Sequence, residues 1–496
     1  MQVLLAPGVL RGQQPIVFDT VRLNPVNSFL VGFDVFENED GYVVFSSGGD
    51  GTGEIQDVRT SSFDAAGSFQ FERVFQQPRL AYYGVHAPAA RDHNGGFASG
   101  VARFGGGEAL DSLFLYRFNG MGDTIETSFL VSDTTVAIRK CIQSENSDYL
   151  LVGLHERPKN AFLCRATANG DLVSFTPLTD VPPFFAMSIA EDANQDLFIC
   201  GYGESAAQNN INNANLIKCG PVGSVIWRRT KPGISWYIDV IATPDGGVVA
   251  IGFYKGNFDV PSTAFAVKYD AEGNEEWSRD VAQTDLGSRP CFLTNGFLLP
   301  DGTLALCGTL RNTTTPGLWD NGMLHKLGAD GTILWSRYYA HYTGLPAGYE
   351  HVFNAVQPTS DGGFILTGEA QGPTPPNTSR LWLVKLDSMG CLVPGCHTVG
   401  VEEFESELQD ALQVGPNPAS EAIQLTLDLP EGYRLEGAVE VHLLDEQGKE
   451  VKRHTIGPFD VQLRATLEIA GLASGLYYIH LRDERKWLAG TKVVVE

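Results

Sequence analysis

Residues 237–256, YIDVIATPDGGVVAIGFYKG, alternate apolar and polar positions, break at a Pro-Asp-Gly-Gly turn, and resume as an apolar run ending near a glycine. This pattern predicts two short strands joined by a tight turn. It recurs as HVFNAVQPTSDGGFILTGEAQG at 351–372 and CFLTNGFLLPDGTLALCGTL at 291–310. Weaker copies lie at 35–48, 90–104, 142–156 and 189–203. A third strand follows, with a basic residue at a fixed place: Arg117, Arg165, Lys218, Lys268, Lys326 and Lys385. A glycine turn comes next, at Gly67, Gly122, Gly170, Gly223, Gly273, Gly331 and Gly390. The fourth strand places an aromatic residue four positions on, at Phe71, Trp227, Trp277 and Trp335, with an arginine two beyond.

The turn glycines mark seven units, spaced 55, 48, 53, 50, 58 and 59 residues apart. Four short strands per unit at that period predict an all-β chain whose larger part, residues 15–396, is a seven-bladed β-propeller. One blade cannot bury both of its faces, so blades stack radially and close a ring. The repeated tryptophans are expected as buried anchors between blades. The last unit has no fourth strand after Gly390. The β-branched stretch PIVFDTVRLN, 15–24, is expected to supply it and so remove an exposed edge. Residues 1–14, MQVLLAPGVLRGQQ, read equally as the remnant of a signal peptide or as an ordinary N-terminal strand.

Beyond Cys396 the repeat stops. Residues 397–413 are acidic and unpatterned, and read as a linker. From 414 to 496 alternating strands return and predict a small Ig-like β-sandwich. Three stretches there, GPNPAS at 415–420, LASGLYYIHL at 472–481 and TKVVVE at 491–496, resemble the C-terminal sorting domain of the type IX secretion system of Bacteroidetes-type bacteria. The resemblance implies export across the outer membrane, to the cell surface or the medium, with the secretion machinery as partner. It places the sorting motif on Pro416, Asn417 and Pro418, on Gly475 and Tyr477, and on Lys492. The repeats also resemble propellers common among proteins exported that way.

Net charge sharpens this picture. The chain of 496 residues carries a formal charge of −24, so its surface repels phosphate backbones and nucleic acid is excluded as a partner. No apolar run reaches the length of a membrane-spanning helix. Of the eight cysteines, only Cys391 and Cys396 sit close together, around a Pro-Gly turn, and are expected to form a disulfide. Cys200 and Cys307 fill the slot before the second-strand glycine, where other units have Val152, Ile251 and Thr367, so they read as buried thiols. The pairing of Cys141, Cys164, Cys200, Cys219, Cys291 and Cys307 stays open.

Candidate chemistry is sparse. No histidine or cysteine cluster has metal-site spacing, and no cofactor is implied. The glycine-rich loop 46–57, with Asp50, Glu54 and Asp57, lacks the spacing of an EF-hand. The first strand of each blade is expected to line a central channel. Asp34, Asp239 and Asn295 each lie six residues before the turn acid and are expected at one level there. Paired carboxylates at that level are the basis for a glycan-active hydrolase or lyase. Solvated or backbone-bonded carboxylates are the plainer alternative. The reading preferred is an exported binding or scaffold module for an extracellular glycan or protein.

Overall fold

In the computed structural model, the described residues are 17–24, 29–49, 56–75, 89–103, 112–132, 136–156, 159–179, 181–205, 211–233, 235–254, 262–281, 291–311, 320–342, 349–372, 378–393, 408, 411–429, 435, 438–445, 449–457, 462–483 and 487–496. Every regular element among them is a strand. No helix is long and apolar enough to cross a membrane. The chain divides into two compact units, 18–385 and 386–496 with 1–17, each described by itself below.

Unit 18–385 holds seven four-stranded antiparallel sheets. Six are built from consecutive strands, at 30–75, 89–132, 136–177, 185–231, 235–280 and 291–339. The seventh takes His351–Pro358, Phe364–Gly372 and Thr378–Leu386, and its fourth strand is Phe18–Arg22. The register is Phe18 opposite Lys385 through Arg22 opposite Leu381. The strand from the start of the chain therefore completes the last blade.

Neighbouring blades share apolar clusters. Phe45, Phe97 and Phe118 join blades 1 and 2, and Ile251, Leu293 and Leu306 join blades 5 and 6. Leu30, Val35 and Phe63 of blade 1 pack with Ile365, Leu381 and Leu383 of blade 7, which closes the ring. Between blades 6 and 7, a Cβ at Gly322 would come within 2.7 Å of both Phe353 and Trp382. Only a glycine lets those stacked rings, 4.2 Å between centroids, approach the backbone.

The repeated basic residue of the third strand has a local purpose. Lys218, Lys268, Lys326 and Lys385 reach Asp192, Asp245, Asp301 and Asp361 in the first turn of their own blades, at 2.8–3.2 Å. The ion pair ties the third strand to the hairpin beside it.

The fourth-strand aromatic ties one blade to the next. Trp227 and Trp277 lie over Gly273 and Gly331, the positive-φ turn glycines of the following blades. Their indole N–H groups donate to the carbonyls of Ala271 and Ala329. Contrary to the expectation of full burial, Trp277 and Trp335 are only half-buried: the Gly331 turn lies against Trp277, and Trp335 meets the edge of Phe364 with Arg337 over its ring. Phe18 occupies the same register slot: it faces Lys385 as Trp277 faces Lys268, and lies over Gly67.

Unit 386–496 contains two antiparallel sheets. One has three strands, in the order Leu412–Gly415, Ala422–Asp428, Gln462–Glu468. The other has four, in the order Glu450–Ile456, Val439–Leu444, Gly475–Arg482, Trp487–Val495. Inward-facing Ile423, Leu425, Val441, Ile479 and Val493 form one core between them. Leu408 is also in this core, and Leu412 and Gln413 pair with Leu427 and Thr426. The sandwich thus begins before residue 414, inside the stretch the sequence reads as linker. Ala411 donates its amide to the Leu408 carbonyl; the rest of that stretch, like residues 1–14, lies outside the described residues.

Candidate functional site

Among the described residues, the first strand of six blades carries one residue too many. Pairing slips between Gly32 and Asp34, Ile138 and Lys140, Ala186 and Ser188, Tyr237 and Asp239, Leu293 and Asn295, and Phe353 and Ala355. Such a β-bulge leaves one residue unpaired and turns its side chain away from the ladder. The six bulged residues are Phe33, Arg139, Met187, Ile238, Thr294 and Asn354, and all six line one cavity of about 250 Å³.

The recurring second-strand glycine is the other half of the device. Opposite the bulge, a Cβ on Gly153, Gly201, Gly252, Gly308 or Gly368 would lie 1.8–2.0 Å from a first-strand carbonyl oxygen. In these five blades the bulge has bare backbone across from it; in blade 1 the glycine is on the first strand instead, Gly32 opposite Ser46.

The residue after each bulge forms a ring at one level of the channel. Asp34, Lys140, Ser188, Asp239, Asn295 and Ala355 occupy it in six blades; the blade 2 counterpart, Pro88, lies outside the described residues. Asp34, Lys140, Asp239 and Asn295 line both the 250 Å³ cavity and a second one of about 730 Å³, and so form the waist between them. Most of the hydrogen bonds at the waist run from blade to blade. Asp34 accepts from the Ala89 amide at 2.9 Å, and Asn295 from the Val356 amide at 3.1 Å. Asp239 accepts from Ser188 on one side, and from the Asn295 side chain at 2.8 Å and the Gly296 amide at 3.1 Å on the other. Lys140 Nζ stands 3.9 Å from Asp239.

Burial raises the Asp34 carboxyl to about 6; Lys140 and the Ala89 amide oppose this, and Asp239 adds to it. Burial would lower the Lys140 ammonium, but Asp239 and Asp34 outweigh it and hold the group above its ordinary value. Arg139, one residue earlier, makes no hydrogen bond or ion pair among the described residues. Burial pushes its guanidinium down.

Asp34, Asp239 and Asn295 therefore share the level that their spacing predicts. Lys140 and Arg139 are absent from the sequence reading, although the signal was present. Lys140 lies six residues before Asn146, in a SENSD turn that replaces the usual Asp-Gly, and a search confined to carboxylates passes over it. No group of side chains among the described residues could hold a metal ion. Asp57 of the glycine-rich loop is bonded to Arg59, while Asp50 and Glu54 lie outside the described residues.

In the sandwich, the three sequence motifs converge on its last strand. The Asn417 side chain donates to the Lys492 carbonyl at 3.0 Å and accepts from the Val494 amide at 2.9 Å. Ala419 forms a parallel bridge to Val495. Gly475 opens the neighbouring strand opposite Val495, and Lys492 pairs with Tyr478, its ammonium 6.0 Å from that ring. Tyr477 is buried and its hydroxyl donates to the Ala473 carbonyl at 2.8 Å. Pro416 and Pro418 flank Asn417, so the Pro-Asn-Pro segment is a clasp on the terminal strand.

Residues 413–496 match the family model of the secretion system C-terminal sorting domain. The chain carries a type IX sorting domain. The sorting domain marks the protein for secretion, to attachment at the cell surface or to release. No curated protein matches the chain in sequence. Among solved structures, it is similar to the β-propeller domain of the trilobed protease from Pyrococcus furiosus, with 10% identity over 72% of this chain and 93% of that one, at a TM-score of 0.40. It is also similar to PorZ, a surface component of the type IX secretion system of Porphyromonas gingivalis, with 11% identity over 95% and 76%, at 0.31. A Pyrococcus horikoshii acylaminoacyl peptidase is similar with 10% identity over 82% and 59%, at 0.41, so the chain spans under two thirds of that enzyme.

The cysteines upstream of the sorting domain are consistent with packing. Cys141, Cys164, Cys200, Cys219, Cys291 and Cys307 are buried free thiols, and burial pushes each upward, away from reactive thiolate. Cys391 is buried, but its expected partner Cys396 lies outside the described residues.

Proposed function

We propose that the propeller is a non-enzymatic binding or scaffold module that the sorting domain delivers outside the cell. The observation that carries this reading is the use made of the channel carboxylates. Both oxygens of Asp239, and one of Asp34, accept hydrogen bonds from neighbouring blades. They hold the ring closed, whereas the bulged residues beside them vary freely in chemistry from blade to blade. A wall of that kind suits recognition. The test is an array of extracellular polysaccharides and peptides scored for binding and for product release together. Binding without turnover is the expected outcome; release of product would overturn it.

One observation favours a second reading, a glycan-active hydrolase or lyase. Asp34, raised to about 6, stands near Asp239 and Lys140. Two carboxyls whose environments differ are the usual arrangement of an acid–base pair. On this reading any turnover disappears in Asp34→Asn and in Asp239→Asn. Within the sorting domain, Pro416, Asn417, Pro418, Gly475, Tyr477 and Lys492 present the folded terminal strand to the secretion machinery, and a Cys391–Cys396 disulfide closes the segment before it.

A further inference from the structure

We propose that the 250 Å³ channel cavity is a binding site for a compact carboxylic acid with an apolar body, and that Arg139 takes the carboxylate. The proposal rests on the reading of the propeller as a binding module. Its first support is charge. At the waist, Lys140 faces two carboxylates, Asp239 and Asp34, so its charge is answered. Arg139 has no such counterpart among the described residues, although it lies in a chain of net charge −24. A guanidinium in a partly dewatered cavity is costly unless an anion joins it, and a carboxylate matches its fork.

The second support is the rest of the wall. Phe33, Met187 and Ile238 stand at the bulge level with Arg139, and Phe253 and Phe292 continue the apolar side, 4.9 Å apart edge to face. The two uncharged polar bulge residues are already engaged. The Thr294 hydroxyl donates to the Phe353 carbonyl at 2.6 Å, and the Asn354 amide donates to the Gly32 carbonyl at 2.9 Å. A hydroxyl-rich sugar would find few free donors there. An aryl or branched alkyl group would fit the apolar sector. The volume lies just under the roughly 300–1,000 Å³ typical of ligand pockets, which limits the occupant to a compact one.

The same chemistry is offered by a free organic acid and by the carboxyl end of a peptide whose last residue is apolar. Titration calorimetry of the full chain separates them. The probes are phenylacetate, its neutral amide phenylacetamide, galacturonate, and an acetylated tripeptide ending in phenylalanine as free acid and as amide. Saturable binding of phenylacetate or of the peptide acid is expected, at least tenfold tighter than of the matching amide. Whichever acid binds more tightly identifies the source. Arg139→Met should weaken that binding at least tenfold, Arg139→Lys less, and Met187→Trp should block it by filling the cavity. Arg139→Met should melt no lower than the wild type, since the charge removed has no ion-pair partner among the described residues. Equal affinity for acid and amide, indifference to Arg139→Met, tighter binding of galacturonate, or no binding of either acid at millimolar concentration would each overturn the proposal. A hit in the polysaccharide and peptide array that survives Arg139→Met would sink this site while leaving the binding module standing. A blank array together with blank titrations would remove both.

Discussion

Gly252 shows how much one missing side chain decides. A Cβ there would sit 1.9 Å from the Trp236 carbonyl oxygen, against backbone that cannot swing aside. Gly252→Ala is expected to lower stability by about 3 kcal/mol, the upper part of the usual range for overpacking, and to shift the thermal midpoint accordingly. An unchanged melt would mean that the bulge relaxes at little cost. The sequence displays these glycines at a fixed place in the second strand, yet gives no cause, because the atom they avoid belongs to another strand. Asp34 makes a prediction of the opposite kind. Its carboxyl rises from near 4 when unfolded to about 6 when folded. The folded state then binds the extra proton between those values, so the contribution to stability is full below about pH 4 and is lost as pH rises through 6. Asp34→Asn removes that dependence, keeps an acceptor for the Ala89 amide, and should gain on the wild type by up to roughly 3 kcal/mol between pH 4 and pH 7. Melting curves of both proteins across that range check it; parallel curves would contradict the raised carboxyl.

Among the strands, Phe18–Arg22 makes the boldest claim. It is the outer strand of the last blade, and its Phe18 covers the Gly67 turn of the first. Deleting residues 18–22 should leave Thr378–Leu386 with a bare edge and lower the melting temperature of the whole propeller. Phe18→Ala should lower it less, because the hydrogen-bonded ladder survives. A deletion that melts like the parent would show that the ring does not depend on this strand. The strand's place could be read from what the last repeat lacks, together with the β-branched run at 15–24. The equivalence of Phe18 with Trp227 and Trp277 could not, because a lone strand has no repeat to align against. The first-strand bulges were hidden for a related reason. One extra residue shifts no glycine and no turn, so the apolar pattern looks continuous across it.

At the scale of the whole chain, the repeat period and turn glycines suffice for seven blades and a sandwich, since both folds are set by alternation and turns. The wall of the channel was only partly readable, because its chemistry comes from residues of six blades that share nothing but a level. In the sorting domain, Asn417 bonds two backbone groups, the Lys492 carbonyl and the Val494 amide, in the TKVVVE end of the terminal strand Trp487–Val495. Removing residues 491–496 should take away the second half of that strand, with both groups Asn417 bonds, and leave the protein in the periplasm of a native-type host. Asn417→Ala should impair export in the same direction but less. The sorting domain is expected to be cut off during export, leaving a mature end between Thr398 and Val414. Cell fractionation with mass spectrometry of the carboxyl end reads all of this, and recovery outside the cell of the truncated form, or of chains ending at Glu496, would refute it. The closing strand has a last consequence, in the order of synthesis. Phe18–Arg22 is made more than 350 residues before the strand it pairs with, and at about 5–20 residues per second it waits tens of seconds for its partner. The sorting domain leaves the ribosome only after that partner. Every polypeptide that carries the complete export address therefore already contains all seven blades, and a product of translation interrupted before the last blade has neither a closed ring nor the sorting domain.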